Sequence, residues 1–196
     1  MLPFETIIQS YVDTKLGVDE HFIDKNLAKN LSVRLLTLFE TNLMIGAGTG
    51  DTANKQVDQL IRNDKIFWLD RSHNDESENA FLDHIDQFVT YLNSSCYTGI
   101  TGYEFHFVLY EKGSFYKKHF DRFKNNGDRA FSVIIYLNPD WVLNDGGELC
   151  IHQNNTQQYI SPENCKGVFF KSDELEHEVL VTNVPRLSIT GWLKTN

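Results

Sequence analysis

Apolar side chains recur at helical spacing in three stretches of the first hundred residues. The pattern predicts a short helix over residues 4–16. It predicts a longer helix after Asp24, whose side chain is suited to cap a helix N-terminus. A third helix is expected from Ala80 to Asn93. The apolar positions that define the second and third helices are Leu27, Leu31, Leu35, Leu38, Phe81, Ile85, Phe88 and Leu92.

The segments between these helices have a different character. Gly46–Asp51 is rich in glycine and predicts a flexible connection. Lys65–Leu69 is short and apolar, which is typical of a strand. Arg71–Asn79 is polar and turn-prone, so we expect a loop there.

Beyond residue 100 the spacing changes to short β-rich runs separated by turns. Such a rhythm predicts a sandwich or jelly roll with the helices packed on one face, an α+β chain that is mostly β. We expect residues 1–100 to support a β core at 101–196, both within one domain. The predicted strands are 103–110, 115–121, 130–138, 147–152, 157–161, 166–171, 177–182 and 186–193.

The composition narrows the function classes. A net charge of −9 argues against a nucleic-acid partner, which would require a basic face. The N-terminus has no signal-peptide pattern, and no apolar run is long enough to span a membrane. Cys96, Cys150 and Cys165 are odd in number and contain no Cys-x-x-Cys pair, so we expect buried free thiols. These features predict a cytoplasmic protein without a membrane partner.

His-x-Asp occurs three times, and strand parity separates the three pairs. Residues i and i+2 share a face in a strand but diverge in a helix. His84/Asp86 falls in the third helix, where the pair cannot hold one metal ion. His73/Asp75 falls in the polar loop and has no downstream partner at a suitable distance. His119/Asp121 closes a predicted strand, so it can present an imidazole and a carboxylate side by side.

Two residues later in the sequence indicate what the His119/Asp121 pair could bind. His177 opens another β run and would complete a two-His-one-carboxylate set, which suits non-haem Fe(II). Arg186 lies among apolar residues, so its guanidinium needs a carboxylate, and Tyr136 could supply a second donor to it. The alternatives are an edge histidine at 177 and a structural salt bridge at 186.

These residues resemble the 2-oxoglutarate- and Fe(II)-dependent dioxygenases of the prolyl 4-hydroxylase type. The resemblance covers residues 20–193. Within this family, the sequence is most similar to the hypoxia-inducible-factor prolyl hydroxylases and their bacterial relatives. The resemblance implies a double-stranded β-helix fold. It implies that His119, Asp121 and His177 form the catalytic iron site and that Arg186 binds the distal carboxylate of 2-oxoglutarate. The other implied co-substrate contacts are Tyr136, Tyr110, Ile134, Leu149, Val179, Thr190 and Trp192.

A further stretch, Ile61–Trp68, resembles the region that precedes the substrate loop in this family. It implies that Arg62, Asp64 and Arg129 contact a proline-containing protein or peptide, although an ordinary exposed arginine remains the alternative for Arg62 and Arg129. His106 stands where close relatives carry an apolar residue.

The expected reaction hydroxylates a prolyl C4 with Fe(II), 2-oxoglutarate and O2 and releases succinate and CO2. Ascorbate as a reductant and a role in oxygen sensing are also implied by the resemblance. The alternatives are a hydroxylase of a free amino acid or other small molecule, and a non-catalytic metal-binding jelly roll.

Overall fold

The computed structural model describes residues 4–48, 60–121, 128–153 and 155–195. Within these residues, three helices lie in the N-terminal half of the chain, and most of the strands follow them. The helices are α1 (Glu5–Thr14), α2 (Lys25–Glu40) and α3 (Glu76–Cys96). In the described part of the chain, no helix is long and apolar enough to cross a membrane.

Eleven strands occur within the described residues, in two antiparallel sheets. The larger sheet has the order β1-β9-β6-β11-β4-β3-β2, and the smaller has the order β5-β10-β7-β8. The strands are β1 (Gly17–Asp19), β2 (Ile45–Gly46), β3 (Lys65–Trp68), β4 (Gly102–Tyr110), β5 (Tyr116–His119), β6 (Arg129–Tyr136), β7 (Leu149–Gln153), β8 (Thr156–Ile160), β9 (Gly167–Lys171), β10 (Glu176–Val179) and β11 (Arg186–Lys194).

Side chains point alternately to the two faces along each strand of the larger sheet, so each face contributes to a separate hydrophobic core. On β4, Phe105, Phe107 and Leu109 pack with the apolar faces of α2 and α3. The alternate residues Val108 and Tyr110 belong to a second cluster, which includes side chains of both sheets. The helices therefore cover one face of the larger sheet, and the smaller sheet faces the other. This is the double-stranded β-helix with supporting helices that the sequence predicts, and the fold prediction is confirmed.

Helix boundaries follow the capping residues. The Asp24 side chain accepts hydrogen bonds from the backbone N–H groups of Asn26 and Leu27, as predicted for the start of α2. Asp75 caps α3 in the same way, through the N–H groups of Ser77 and Glu78. The third helix was predicted to begin at Ala80, which is wrong by about one turn because its first residues are polar.

Several local predictions need correction. The loop expected at Arg71–Asn79 contains a 3₁₀ turn, Arg71–His73, and the first turn of α3. Gly46 belongs to β2, whereas the rest of the predicted connection lies largely outside the described residues. Cys150 and Cys165 are buried free thiols, but Cys96 is exposed at the end of α3.

Candidate active site

Three neighbouring strands build the floor of the site from matched rows of side chains. Strand β11 pairs with β4 on one side and with β6 on the other, and the register aligns alternate residues. Arg186 lies opposite Tyr110, and Ser188 lies between Val108 and Tyr136. The rows that follow are Thr190 with His106 and Ile134, then Trp192 with Glu104 and Ser132.

A cavity of about 280 Å³ lies over these rows, between the two sheets. Twelve of the fourteen residues that the sequence analysis assigned to the metal, co-substrate and substrate sites line this cavity. The two that do not line it are Asp64 and Tyr136. The twelve are Arg62, Tyr110, His119, Asp121, Arg129, Ile134, Leu149, His177, Val179, Arg186, Thr190 and Trp192.

His119, Asp121 and His177 converge at one wall of the cavity. Strands β5 and β10 are paired with His119 directly opposite His177. Nε2 of His119 lies 3.5 Å from Oδ1 of Asp121, and Nε2 of His177 lies 3.7 Å from the same oxygen. The three ligand atoms lie within 4.8 Å of one another, so a single metal ion can contact all of them.

The contacts behind these side chains orient them for metal binding. Nδ1 of His119 lies 2.7 Å from the Lys117 carbonyl, and Nδ1 of His177 lies 3.1 Å from the Leu175 carbonyl. A ring whose Nδ1–H donates to a carbonyl keeps the Nε2 lone pair for a metal. Ser132 Oγ donates a 2.6 Å hydrogen bond to Oδ2 of Asp121, which leaves Oδ1 facing the histidines.

The protonation states also favour a cation at this place. Burial alone would raise the pKa of the Asp121 carboxyl, but His177, His119 and Ser132 hold that pKa well below its usual range. Burial lowers the pKa of His177 to about 4, against the opposing effect of the Asp121 charge. An ionised carboxylate beside a neutral imidazole is the donor set that Fe(II) binds, and three ligands on one side leave other positions open.

Arg186 lies at the other end of the rows and is 1% exposed. Its Nε donates to the Gly147 carbonyl at 2.8 Å, and its guanidinium lies 5.0 Å from the ring centres of Tyr110 and Tyr136. Among the described residues, no carboxylate forms an ion pair with it. A buried guanidinium without an acidic partner calls for a carboxylate from a ligand.

The two tyrosines beside Arg186 are buried and neutral. Burial raises the pKa of Tyr136 to about 12, and the Arg186 charge only partly opposes this rise. Burial also raises the pKa of Tyr110 well above its ordinary value. The Tyr136 hydroxyl has no hydrogen-bond partner in the part of the chain that the structure describes. It is therefore available to donate to a carboxylate held by Arg186.

The mouth of the cavity is formed by arginines and aromatic rings. The guanidinium carbon of Arg129 lies 3.4 Å from the centre of the Trp192 ring, and Arg129 also binds Glu104 at 2.8 Å. Arg62 lies 4.2 Å from the centre of the Tyr116 ring. Asp64 is 1% exposed and pairs with Arg62 through two hydrogen bonds. The structure thus places Asp64 behind Arg62, where it orients that arginine.

Several cavity residues were not identified from the sequence. Ile66 and Trp68 of β3, Glu104 and Val108 of β4, and Lys194 of β11 all line it, as do Tyr116 and Phe120. Residues 104, 106 and 108 share strand parity with Tyr110, so the β4 residues could have been predicted from the sequence. Trp68 and Trp192 flank His106, with ring centres 4.8 and 5.4 Å away.

The two other His-x-Asp pairs have structural roles. His73 lies 2.8 Å from Glu78, and Asp75 caps α3. Asp86 binds Arg71 at the surface. The His84 ring packs against Phe4 and Phe22, with ring centres 5.1 and 5.0 Å away.

Comparisons with known proteins agree with this geometry. Residues 105–194 match the family model of the 2OG-Fe(II) oxygenase superfamily. A Pseudomonas putida prolyl-4-hydroxylase structure is 29% identical, with 97% of each chain covered and a TM-score of 0.86. A Trichoplax adhaerens prolyl hydroxylase, solved with a hypoxia-inducible-factor peptide fragment, shares the fold at 24% identity. There the TM-score is 0.82, with 96% of this chain and 87% of that chain covered.

The fold, the site and the family match define a 2-oxoglutarate- and Fe(II)-dependent dioxygenase. Within this class, the chain is similar over almost its whole length to a prolyl 4-hydroxylase. Its cofactors are Fe(II), 2-oxoglutarate and O2, and this part of the sequence-based prediction is confirmed.

Proposed function

We propose that this enzyme hydroxylates a prolyl residue in a protein or peptide. The observation that carries the proposal is the similarity to the Pseudomonas putida prolyl-4-hydroxylase, which extends over 97% of each chain. Arg62 and Arg129 at the cavity mouth support a peptide substrate, because their fixed guanidinium groups suit backbone carbonyls and acidic side chains.

The chain's own side chains divide the work along the cavity. His119, Asp121 and His177 would hold the iron, which supplies the activation of dioxygen when bound. Arg186 and Tyr136 would bind the distal carboxylate of 2-oxoglutarate, with Tyr110 beside them. Ile134, Leu149 and Val179 form an apolar wall that excludes water, and Thr190 and Trp192 line the floor between the two ends.

In the overall reaction, both atoms of O2 are accounted for and one carbon atom of the substrate is oxidised. One atom of O2 enters succinate as 2-oxoglutarate loses CO2. The other atom enters a C–H bond of the substrate, at C4 of a prolyl ring in our proposal. We further propose a cytoplasmic location, on the ground of three free thiols. Ascorbate as a reductant and a role in oxygen sensing belong to the same proposal.

The test compares a proline-containing peptide with its alanine-substituted copy in the presence of Fe(II), 2-oxoglutarate and air. We expect succinate to form in step with a peptide that gains one oxygen atom on proline, as measured by mass spectrometry. Peptides can be selected by first treating a proteome digest with the enzyme. Asp121→Ala should abolish both products, whereas Asp83→Ala, at an exposed position of α3, should retain them.

Equal oxidation of both peptides would contradict the proposal. Oxidation of free proline without any peptide oxidation would instead favour a small-molecule hydroxylase. Metal binding without succinate formation would support the non-catalytic alternative.

A further inference from the structure

A second group of metal-ligand side chains lies on the outer face of the smaller sheet. Strand β10 pairs with β7 so that Glu178 lies opposite Cys150 and His177 lies opposite Ile151. His177 and Ile151 point between the sheets, so Cys150, His152 and Glu178 point away from the iron site. The two groups therefore occupy opposite faces of the same pair of strands.

The three side chains converge on one point. Nε2 of His152 lies 2.8 Å from Oε1 of Glu178 and 3.6 Å from Sγ of Cys150. All three ligand atoms lie within 4.8 Å of one another. Cys150 is buried below the partly exposed His152 and Glu178, so an ion can enter from solvent and reach the sulfur.

These separations are close to those of a tetrahedral metal site. Zinc bonds of about 2.3 Å to sulfur and about 2.0–2.1 Å to nitrogen and oxygen require about 3.6 Å between S and N. The same bonds require about 3.4 Å between N and O. The observed S–N distance fits this geometry, and the His152–Glu178 contact would lengthen by about 0.6 Å.

A simple hydrogen-bonded pair explains this arrangement less well. One imidazole nitrogen carries at most one hydrogen, yet Nε2 of His152 faces both the carboxylate and the sulfur. Three lone-pair atoms that face a common centre are what a cation requires. A thiolate, an imidazole and a carboxylate together suit zinc-type ions, with the fourth position left to water.

We propose that Cys150, His152 and Glu178 bind a divalent zinc-type ion, separately from the iron. The ion would link β7 to β10 directly behind His177. The two sites differ in one chemically decisive respect, because only the outer site contains sulfur.

Cobalt(II) titration of the full chain tests this inference, because a thiolate bound to Co²⁺ gives a charge-transfer band in the near ultraviolet. We expect the wild-type protein to show this band and Zn²⁺ to remove it by competition. Cys150→Ser should lose the band. Cys96→Ser, which changes an exposed thiol, should keep it, and so should His177→Ala, which alters only the iron site.

His152→Ala gives an independent check, because this side chain is partly exposed and its loss should not prevent folding. It should weaken cobalt binding at least about tenfold, since even indirect partners of a metal contribute that much. Absence of the band in the wild-type protein would overturn the proposal. So would a band of unchanged strength and affinity in Cys150→Ser or in His152→Ala.

Discussion

At the scale of single residues, the Tyr136 hydroxyl indicates most directly what binds beside Arg186. It is fully buried next to the guanidinium and makes no hydrogen bond within the described residues. A buried hydroxyl without a partner costs free energy, and a ligand carboxylate would remove that cost. The hydroxyl therefore favours ligand binding and does not stabilise the ligand-free chain.

Tyr136→Phe separates these two contributions. We expect the KM for 2-oxoglutarate to rise about tenfold or more, because a hydrogen bond to a charged group is worth roughly 1.5–3 kcal/mol. The free energy of unfolding of the ligand-free protein should not fall, because the substitution removes an unpaired hydroxyl and breaks no hydrogen bond. Steady-state kinetics and urea denaturation measure the two quantities.

Tyr159→Phe is the matched control, because that hydroxyl binds Gln157 at the surface and should not affect the KM. A loss of stability in Tyr136→Phe without any change in KM would show that the hydroxyl has a structural role instead.

The individual site residues differ in how far the sequence could predict them. His177 and Arg186 were predictable, because strand parity and apolar neighbours limit where such polar side chains can point. Asp121 was expected to share a strand with His119, but β5 ends at His119, so strand parity alone does not explain the position of this carboxylate. Ser132 was not predictable, although it binds Asp121 at 2.6 Å. A serine within an apolar strand has no signature of its own, and its role depends on which strand lies next to it.

At the scale of elements, β11 organises the site. It lies between β4 and β6 and carries Arg186 at one end and Trp192 at the other. On the face of β11 that the helices cover, the other residues carry apolar side chains, whereas Gly191 has none. A Cβ at this position would collide with the Phe105 ring and the Glu104 carbonyl of β4. The close pairing of β11 with β4 therefore requires glycine at 191.

Gly191→Ala should destabilise the protein by about 1–3 kcal/mol, the usual cost of forcing a methyl group into a packed core. Gly102→Ala provides a control in β4, because a Cβ there meets no atom within 4 Å. We expect Gly102→Ala to change the free energy of unfolding by no more than about 0.5 kcal/mol. Urea denaturation of both variants gives the comparison, and equal stability of the two would contradict the packing argument.

The eight C-terminal strands were predictable, whereas the edges of the larger sheet were not. Regular turn residues mark the strands after residue 100, and each predicted run corresponds to an observed strand. β1 and β2 contain three and two residues, too few for a periodic pattern. They form only because β9 and β3 offer free edges for pairing.

At the scale of the whole molecule, the two sheets divide the site between them. The metal ligands come from β5, β10 and the residues just after β5, whereas Arg186 and Tyr136 come from the larger sheet. Ser132 and Tyr136 of β6 mark the two ends, four residues and about 13 Å apart along the strand. A ligand bound to both the iron and Arg186 would connect the sheets.

This division predicts that metal and 2-oxoglutarate stabilise the fold cooperatively. In the absence of oxygen, 2-oxoglutarate alone should shift the Tm by less than about 1 °C, because only its distal carboxylate finds a partner. With Fe(II) bound, 2-oxoglutarate at 100 times its Kd should add about 2.7 kcal/mol, or about 5–11 °C for a chain of this size. Calorimetry under anaerobic conditions measures each shift. Tyr136→Phe should reduce the Tm shift caused by 2-oxoglutarate without changing the Tm shift caused by metal alone. If the two Tm shifts in the wild-type protein are merely additive, the two ligands bind independently and the prediction fails.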